Sequence, residues 1–338
     1  MRRPIRLLWL LPLPMALLLR LLAEANPAAT ERLFSRGVYP FVAAPFSRLT
    51  GLLPVPVVEI ALVIFITFIF FSLFRRRFFR ALVALGLAGA VFLGGWSLNY
   101  FRLPLSQTLG LTLAPSQPEE LAALCEALVQ EANERHCEAP EGDLFAPVEA
   151  ALNAAAQSWP IPAGDWGAPK IALASPLLSR LMTAGITSPF TAEALVTGGA
   201  PAHSLPYVAC HEAAHVRGFA REEDANFIAY LACEASDTPF YRYSGTLGVL
   251  RYCLNALSGA DADAHAACLA QLSEGVRQDF AEYAAYWGQY QRGAAAQVGQ
   301  QVNDAYLQAV ASGDQSARSY GRVVDLLLAL HRESRGLL

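Results

Sequence analysis

The sequence predicts a mainly α chain (α+β), with three N-terminal transmembrane helices followed by a mostly helical domain that carries a small β-sheet. Three observations lead there. Apolar runs long enough to cross roughly 30 Å of hydrocarbon are confined to the first hundred residues. Beyond them apolar residues recur at helical spacing almost to the end, with two short β-like runs between. One helical stretch carries His211-Glu212-Ala213-Ala214-His215, whose histidines fall on one face a turn apart.

Composition agrees with that division. Hydrophobic residues make up 54% of the 338, and the excess is localised. Residues 1–100 hold eleven Arg against Glu24, Glu31 and Glu59, a net of +8, so the remainder carries −12. An acidic domain argues against nucleic acid, whose binding rests on clustered Lys and Arg. The basic residues of the first part belong to membrane topology.

Residues 5–23 follow Arg2 and Arg3 and read as a first span, broken by two prolines and Arg20. The alternative is a signal peptide cleaved at Ala23-Glu24-Ala25. Residues 26–53 are expected to form a connecting loop lying at the interface. Residues 55–74 make the second span, with Glu59 near one end where water or headgroups can solvate it. Arg75-Arg76-Arg77-Phe78-Phe79-Arg80 is a dense basic loop, and 81–98 make a third span rich in Gly and Ala. The positive-inside rule puts Arg75–Arg80 in the cytoplasm, so residues 1–100 form a membrane domain and 101–338 an extracytoplasmic one. The expected location is the cell membrane, multi-pass, with the lipid bilayer as one partner.

All six cysteines (125, 137, 210, 233, 253 and 268) lie in the exported part, where disulfides are permitted. Cys210 with Cys233, and Cys253 with Cys268, are the pairs considered; buried free thiols are the alternative. Residues 116–135 read as an amphipathic helix, and 147–157 as a helical run within a Pro- and Gly-rich loop. Lys170–Ala174 and Phe190–Val196 read as strands. After Cys233 helices are expected at about 240–258, 262–292, 296–311 and 316–334. His136, His203, His265 and His331 lack ligand-type spacing and are expected at the surface.

Two imidazoles four residues apart on a helix can close on a single zinc ion. Glu212, rotated about 100° from His211, is a poor ligand but well placed as a base toward water activated there. Catalytic zinc commonly takes three protein ligands. Gly218 suits the end of the first helix, letting the chain double back into a second helix that opens at Glu222-Glu223-Asp224 and runs through Cys233. Glu222, sharing a face with Ala225, Asn226 and Ala229, is the expected third ligand, with Glu223 the fallback. Asn226 could steady a ligand histidine by accepting its second N–H. Tyr243, Tyr320 and Arg322 are candidates to donate to a developing oxyanion.

The run from His211 to Cys233, His-Glu-x-x-His-x-x-Gly-Phe-Ala-Arg-Glu-x-x-Ala-Asn-Phe-x-Ala-Tyr-Leu-Ala-Cys, resembles a bacterial membrane family catalogued as domain of unknown function 3810. Leu98–Arg102, Ser188–Glu193, Tyr243–Gly245 and Ser319–Arg322 match as well, so the resemblance covers nearly the whole chain. It implies a zincin-like metallopeptidase domain. Glu222-x-x-Ala225-Asn226 is similar to the element that supplies the third ligand in several gluzincin peptidases. The resemblance also implies that Phe190–Val196 is the edge strand on which an extended substrate adds.

The expected function is therefore hydrolysis of a peptide or protein substrate at a Zn2+ site, with His211, His215 and Glu222 as ligands and Glu212 as base. A catalytically silent zinc-binding sensor or assembly factor is the alternative. A transporter is disfavoured by too few spans.

Overall fold

The computed structural model describes residues 8–310 and 319–334. Three helical stretches among them are long and apolar enough to cross a membrane, Leu8–Ala25, Val57–Phe74 and Phe78–Phe101, which marks the chain as a membrane protein. The first holds α1 (Pro12–Ala25) and the second is α3 (Val57–Phe74); between them lies α2 (Tyr39–Gly51). The third begins as α4 (Phe78–Val91), then passes through a π-helical turn at Phe92–Trp96 and a 3-10 turn at Ser97–Phe101.

The expected interfacial loop over 26–53 is instead helical. Pro27–Ala29 leads into a π-helix over Thr30–Val38, which continues directly as α2. Two prolines lie within this continuous helical run, Pro40 near the start of α2 and Pro45 inside it; their fixed φ suits a helix although each removes an N–H donor. Tertiary partners then anchor the segment's polar groups. Glu31, 5% exposed, receives a bidentate pair from Arg102 at 2.8 Å on both oxygens, and Arg36 adds a third bond at 2.9 Å.

The remaining core is helical. It is built from α5 (Pro118–Arg135), α6 (Val148–Ala155), α7 (Leu205–Val216), α8 (Glu222–Ala235) and α9 (Pro239–Ala260), which share one apolar cluster. The expected helix over 262–292 is broken in two, α10 (Ala262–Ala270) and α11 (Glu274–Gly288), because Ser273 caps the second: its hydroxyl accepts from the Val276 N–H. α12 (Ala294–Val310) and α13 (Ser319–Ser334) complete the described chain.

A three-stranded sheet flanks α7. β1 (Lys170–Ile171), β2 (Gly185–Ser188) and β3 (Glu193–Val196) lie in the order β1-β3-β2, with β1 parallel and β2 antiparallel to β3. This corrects the expected edge strand. The segment Phe190–Val196 supplies the central strand, buried at all four strand positions, and the open edge beside α7 is β2. Its short β-branched pair, Ile186-Thr187 between Gly185 and Pro189, was the unused signal.

All six cysteines are free thiols. Cys210 and Cys233 do meet, as a hydrogen-bonded thiol pair, but Cys253 bonds to Cys125 rather than to Cys268. His203 is not at the surface. It is 5% exposed and lies with Asp279 and Glu282 in a cluster whose polar atoms fall within 4.8 Å of one another.

Candidate metal centre

Apolar residues to either side of His211 and His215 bury α7 and leave the two imidazoles facing α8. Their rings stand perpendicular, 4.6 Å apart between centroids. Gly218 ends the turn as expected, with φ +92°, and the Phe219 N–H reaches back to the Ala214 carbonyl at 3.1 Å. A side chain at Gly218 would also press on the Tyr39 ring and Asn99 Oδ1, at 3.1 and 3.3 Å. The chain reverses there, and Glu222 opens α8 against the histidines.

The Glu222 carboxylate spans both rings: Oε2 lies 3.3 Å from His211 Nε2 and Oε1 3.6 Å from His215 Nε2. Ligand atoms about 2.1 Å from a tetrahedral zinc sit roughly 3.4 Å from one another, so the three donors match such an ion in type and spacing. Glu223 does not compete. It is buried and paired with Arg322, whose Nη1 lies 3.3 Å from its Oε1.

His215 is oriented from behind. A carbonyl can only accept, so the 2.6 Å contact between Nδ1 and the Phe219 oxygen puts the proton on Nδ1 and turns Nε2 toward Glu222. Asn226 does not take this part: its side-chain oxygen accepts from the hydroxyls of Tyr207 and Tyr252. His211 Nδ1 is buried with no hydrogen-bond partner among the described residues.

The field between the rings favours positive charge. Burial alone would depress His215, but the Glu222 charge and hydrogen bond outweigh it and carry its pKa up to about 9. Burial pushes the Glu222 carboxyl up, yet His215 and His211 hold it well below the usual carboxylate range. A divalent cation would take the place of that proton.

Glu212, 5% exposed, reaches the sheet. Thr187 of β2 shares its hydroxyl hydrogen between the Glu212 carboxylate, at 2.8 Å, and the Glu212 carbonyl, at 2.9 Å. Burial raises the Glu212 pKa, and the two histidines and Thr187 draw it partly back. Gly185 makes room: a Cβ there would lie 2.6 Å from both Cγ and Oε1 of Glu212.

The proposed oxyanion donors are engaged elsewhere. The Tyr243 hydroxyl donates to Asp279 and Arg322 serves Glu223; the Tyr320 side chain lies outside the described residues. Two further features escaped the sequence. Arg102 Nη1 donates to the Gly218 carbonyl at 3.0 Å while its guanidinium stacks 4.4 Å over the Phe219 ring, tying the turn to Glu31. The Trp96 ring stands 6.5 Å from His215, and the Tyr39 hydroxyl donates to the Val216 carbonyl at 2.9 Å.

The molecule is thus a mostly helical membrane protein in which two histidines and Glu222 converge, with the neighbouring Glu212 bonded to an open strand. The chain belongs to the family described as "Protein of unknown function (DUF3810)", whose model matches residues 34–328. No curated protein and no solved structure matches it.

Proposed function

We propose that this chain is a membrane-anchored, zinc-dependent metallopeptidase of zincin-like type that hydrolyses peptide bonds outside the cytoplasm. The observation that carries the proposal is the convergence of Glu222 on the Nε2 atoms of His211 and His215, with Glu212 held separately beside a free strand edge. A zinc ion on those three donors would supply a Lewis acid for the scissile carbonyl and lower the pKa of water beside it.

The chain's own residues do the rest. Glu212 takes the proton of the attacking water and delivers it to the leaving amine, and its burial lifts its pKa toward the range a general base needs. Phe219 and Arg102 fix His215 and the turn that follows it. The open edge of β2 offers main-chain groups on which an extended substrate can add, alongside Glu212.

In this proposal residues 1–100 are the membrane domain and 101–338 the extracytoplasmic one. Arg75–Arg80 stay in the cytoplasm, so α3 runs inward and the third span returns outward. A silent zinc-binding sensor would have no use for a buried carboxylate kept off the ligand set by its own threonine.

The test is Glu212→Gln in the full-length protein, with zinc content and peptide hydrolysis both measured. Zinc should stay near one per chain while hydrolysis falls ~10²–10⁴-fold. Undiminished hydrolysis would remove Glu212 from the mechanism, and absence of zinc from the unmodified protein would remove the metal.

A further inference from the structure

The sheet whose β2 edge would receive substrate is bonded, through its central strand, to the start of a candidate span. The N–H groups of Val57 and Val58, the first two residues of α3, donate to the Glu193 carboxylate of β3 at 2.9 and 2.7 Å. Lys170 of β1 reinforces the junction, its ammonium 2.6 Å from Glu193 and bonded to the carbonyls of Thr50 and Val55. Glu59, one residue further into α3, accepts the N–H groups of Leu173 and Ala174 at 3.1 Å each. These bonds admit no stalk between sheet and span.

Strand register says which face is which. Ile186 is paired with Leu195, and Leu195 with Lys170, so all three point to the face that carries Glu193 and receives α3. Gly185 and Thr187 alternate onto opposite faces from Ile186 and meet Glu212. Ile186, on that face, is 47% exposed and Leu173 beside Glu59 65%; Phe190, in the turn after β2, is 45% exposed. Leu177, on the short helix Ser175–Arg180, is 55% exposed. At the other side of the site Trp96, near the outer end of the third candidate span, packs on His215.

From this geometry we infer that the cleft opens within the headgroup layer of the outer leaflet, with Leu173, Leu177, Ile186 and Phe190 immersed, and that its substrate is an extended segment of a protein anchored in the same bilayer, cut within a few residues of that anchor. The inference rests on the peptidase and topology proposed above. An extended chain advances about 3.3 Å per residue, so a segment of a few residues bridges from its own anchor to β2, whereas a distant site must find the cleft by loop closure. Hydrolysis consumes one water: its oxygen joins the carbonyl carbon, the C–N bond breaks, and the proton goes to the amine.

Two measurements on the full-length protein in phosphatidylethanolamine–phosphatidylglycerol vesicles test it. In the first, Leu173→Cys and Phe190→Cys, each on a Cys137→Ser background, carry a bimane probe against brominated lipid. Quenching comparable to that at Leu62→Cys in α3 is expected, and none at either position would overturn the placement. In the second, one reporter peptide is presented free, or joined to a single transmembrane helix by spacers of about 3, 10 or 30 residues. Cleavage at the shortest spacers should exceed that of the free peptide by ~10-fold or more. Equal rates for all four would overturn the tethered substrate. Quenching without any Glu212-dependent cleavage would overturn the peptidase proposal, and the substrate with it, while the placement stood.

Discussion

Thr187 holds Glu212 from the edge strand, one hydroxyl serving both the carboxylate and the main-chain carbonyl of the same residue. In the proposed peptidase, base and substrate-binding edge are therefore coupled through a single side chain. Thr187→Val keeps the shape and removes the donor, so the Glu212 carboxylate loses a bond that favours its charged form and its pKa rises. The acid limb of the kcat/KM profile should move to higher pH, with zinc content unchanged. Gly185→Ala tests the same contact sterically: its Cβ falls 2.6 Å from Glu212 Cγ and should cut kcat without releasing zinc. An unmoved acid limb in Thr187→Val would uncouple Thr187 from the base.

The neighbouring carboxylates of α8 should part company in a metal assay. Glu222→Ala removes the group that faces both imidazoles and should drop zinc well below one per chain. Glu223→Ala should leave zinc bound, since that side chain serves Arg322, and lower the melting temperature instead. Metal analysis of the two purified variants decides it, and equal zinc loss in both would refute the assignment.

Glu31 and Arg102 form a buried pair across 71 residues, joining the segment before α2 to the turn after α7. Breaking one side leaves a buried charge without its main partner, so Arg102→Met should cost about 3–5 kcal/mol. The double variant Glu31→Leu, Arg102→Met should recover part of that loss. Thermal unfolding of the four forms in one detergent measures the coupling, and additive losses would show that the pair does not act as a unit.

His203 supplies a pH dependence away from the proposed zinc site. Burial pushes its pKa down from 6.5 to about 4, against the pull of Asp279, with Arg251 adding to the depression. Between those values the unfolded chain binds a proton that the folded protein refuses. Stability is therefore whole above about pH 6.5 and declines as pH falls toward 4. His203→Gln should flatten that part of the melting temperature profile, and an identical slope in the variant would rule the histidine out as its source.

What the sequence determined by itself was local. Histidines four apart share a helical face whatever surrounds them, Gly218 favours a left-handed stop, and an eighteen-residue apolar run such as α3 is long enough for a bilayer. These follow from backbone period and from one residue's own conformational preference. Choices between near-equivalent partners needed the tertiary structure. Glu222 and Glu223 differ by a rotation of about 100°, and only the docking of α8 on α7 decides which one meets the imidazoles. Strand order made Gly185–Ser188 the edge and Glu193–Val196 the centre, although the latter reads more strongly as a strand. Residues 26–53, with their mixed apolar and charged character, read as a connecting loop because the group that stabilises buried Glu31, the guanidinium of Arg102, enters from a distant part of the chain. Periodicity carries no trace of a contact whose two halves are separated by two candidate membrane spans.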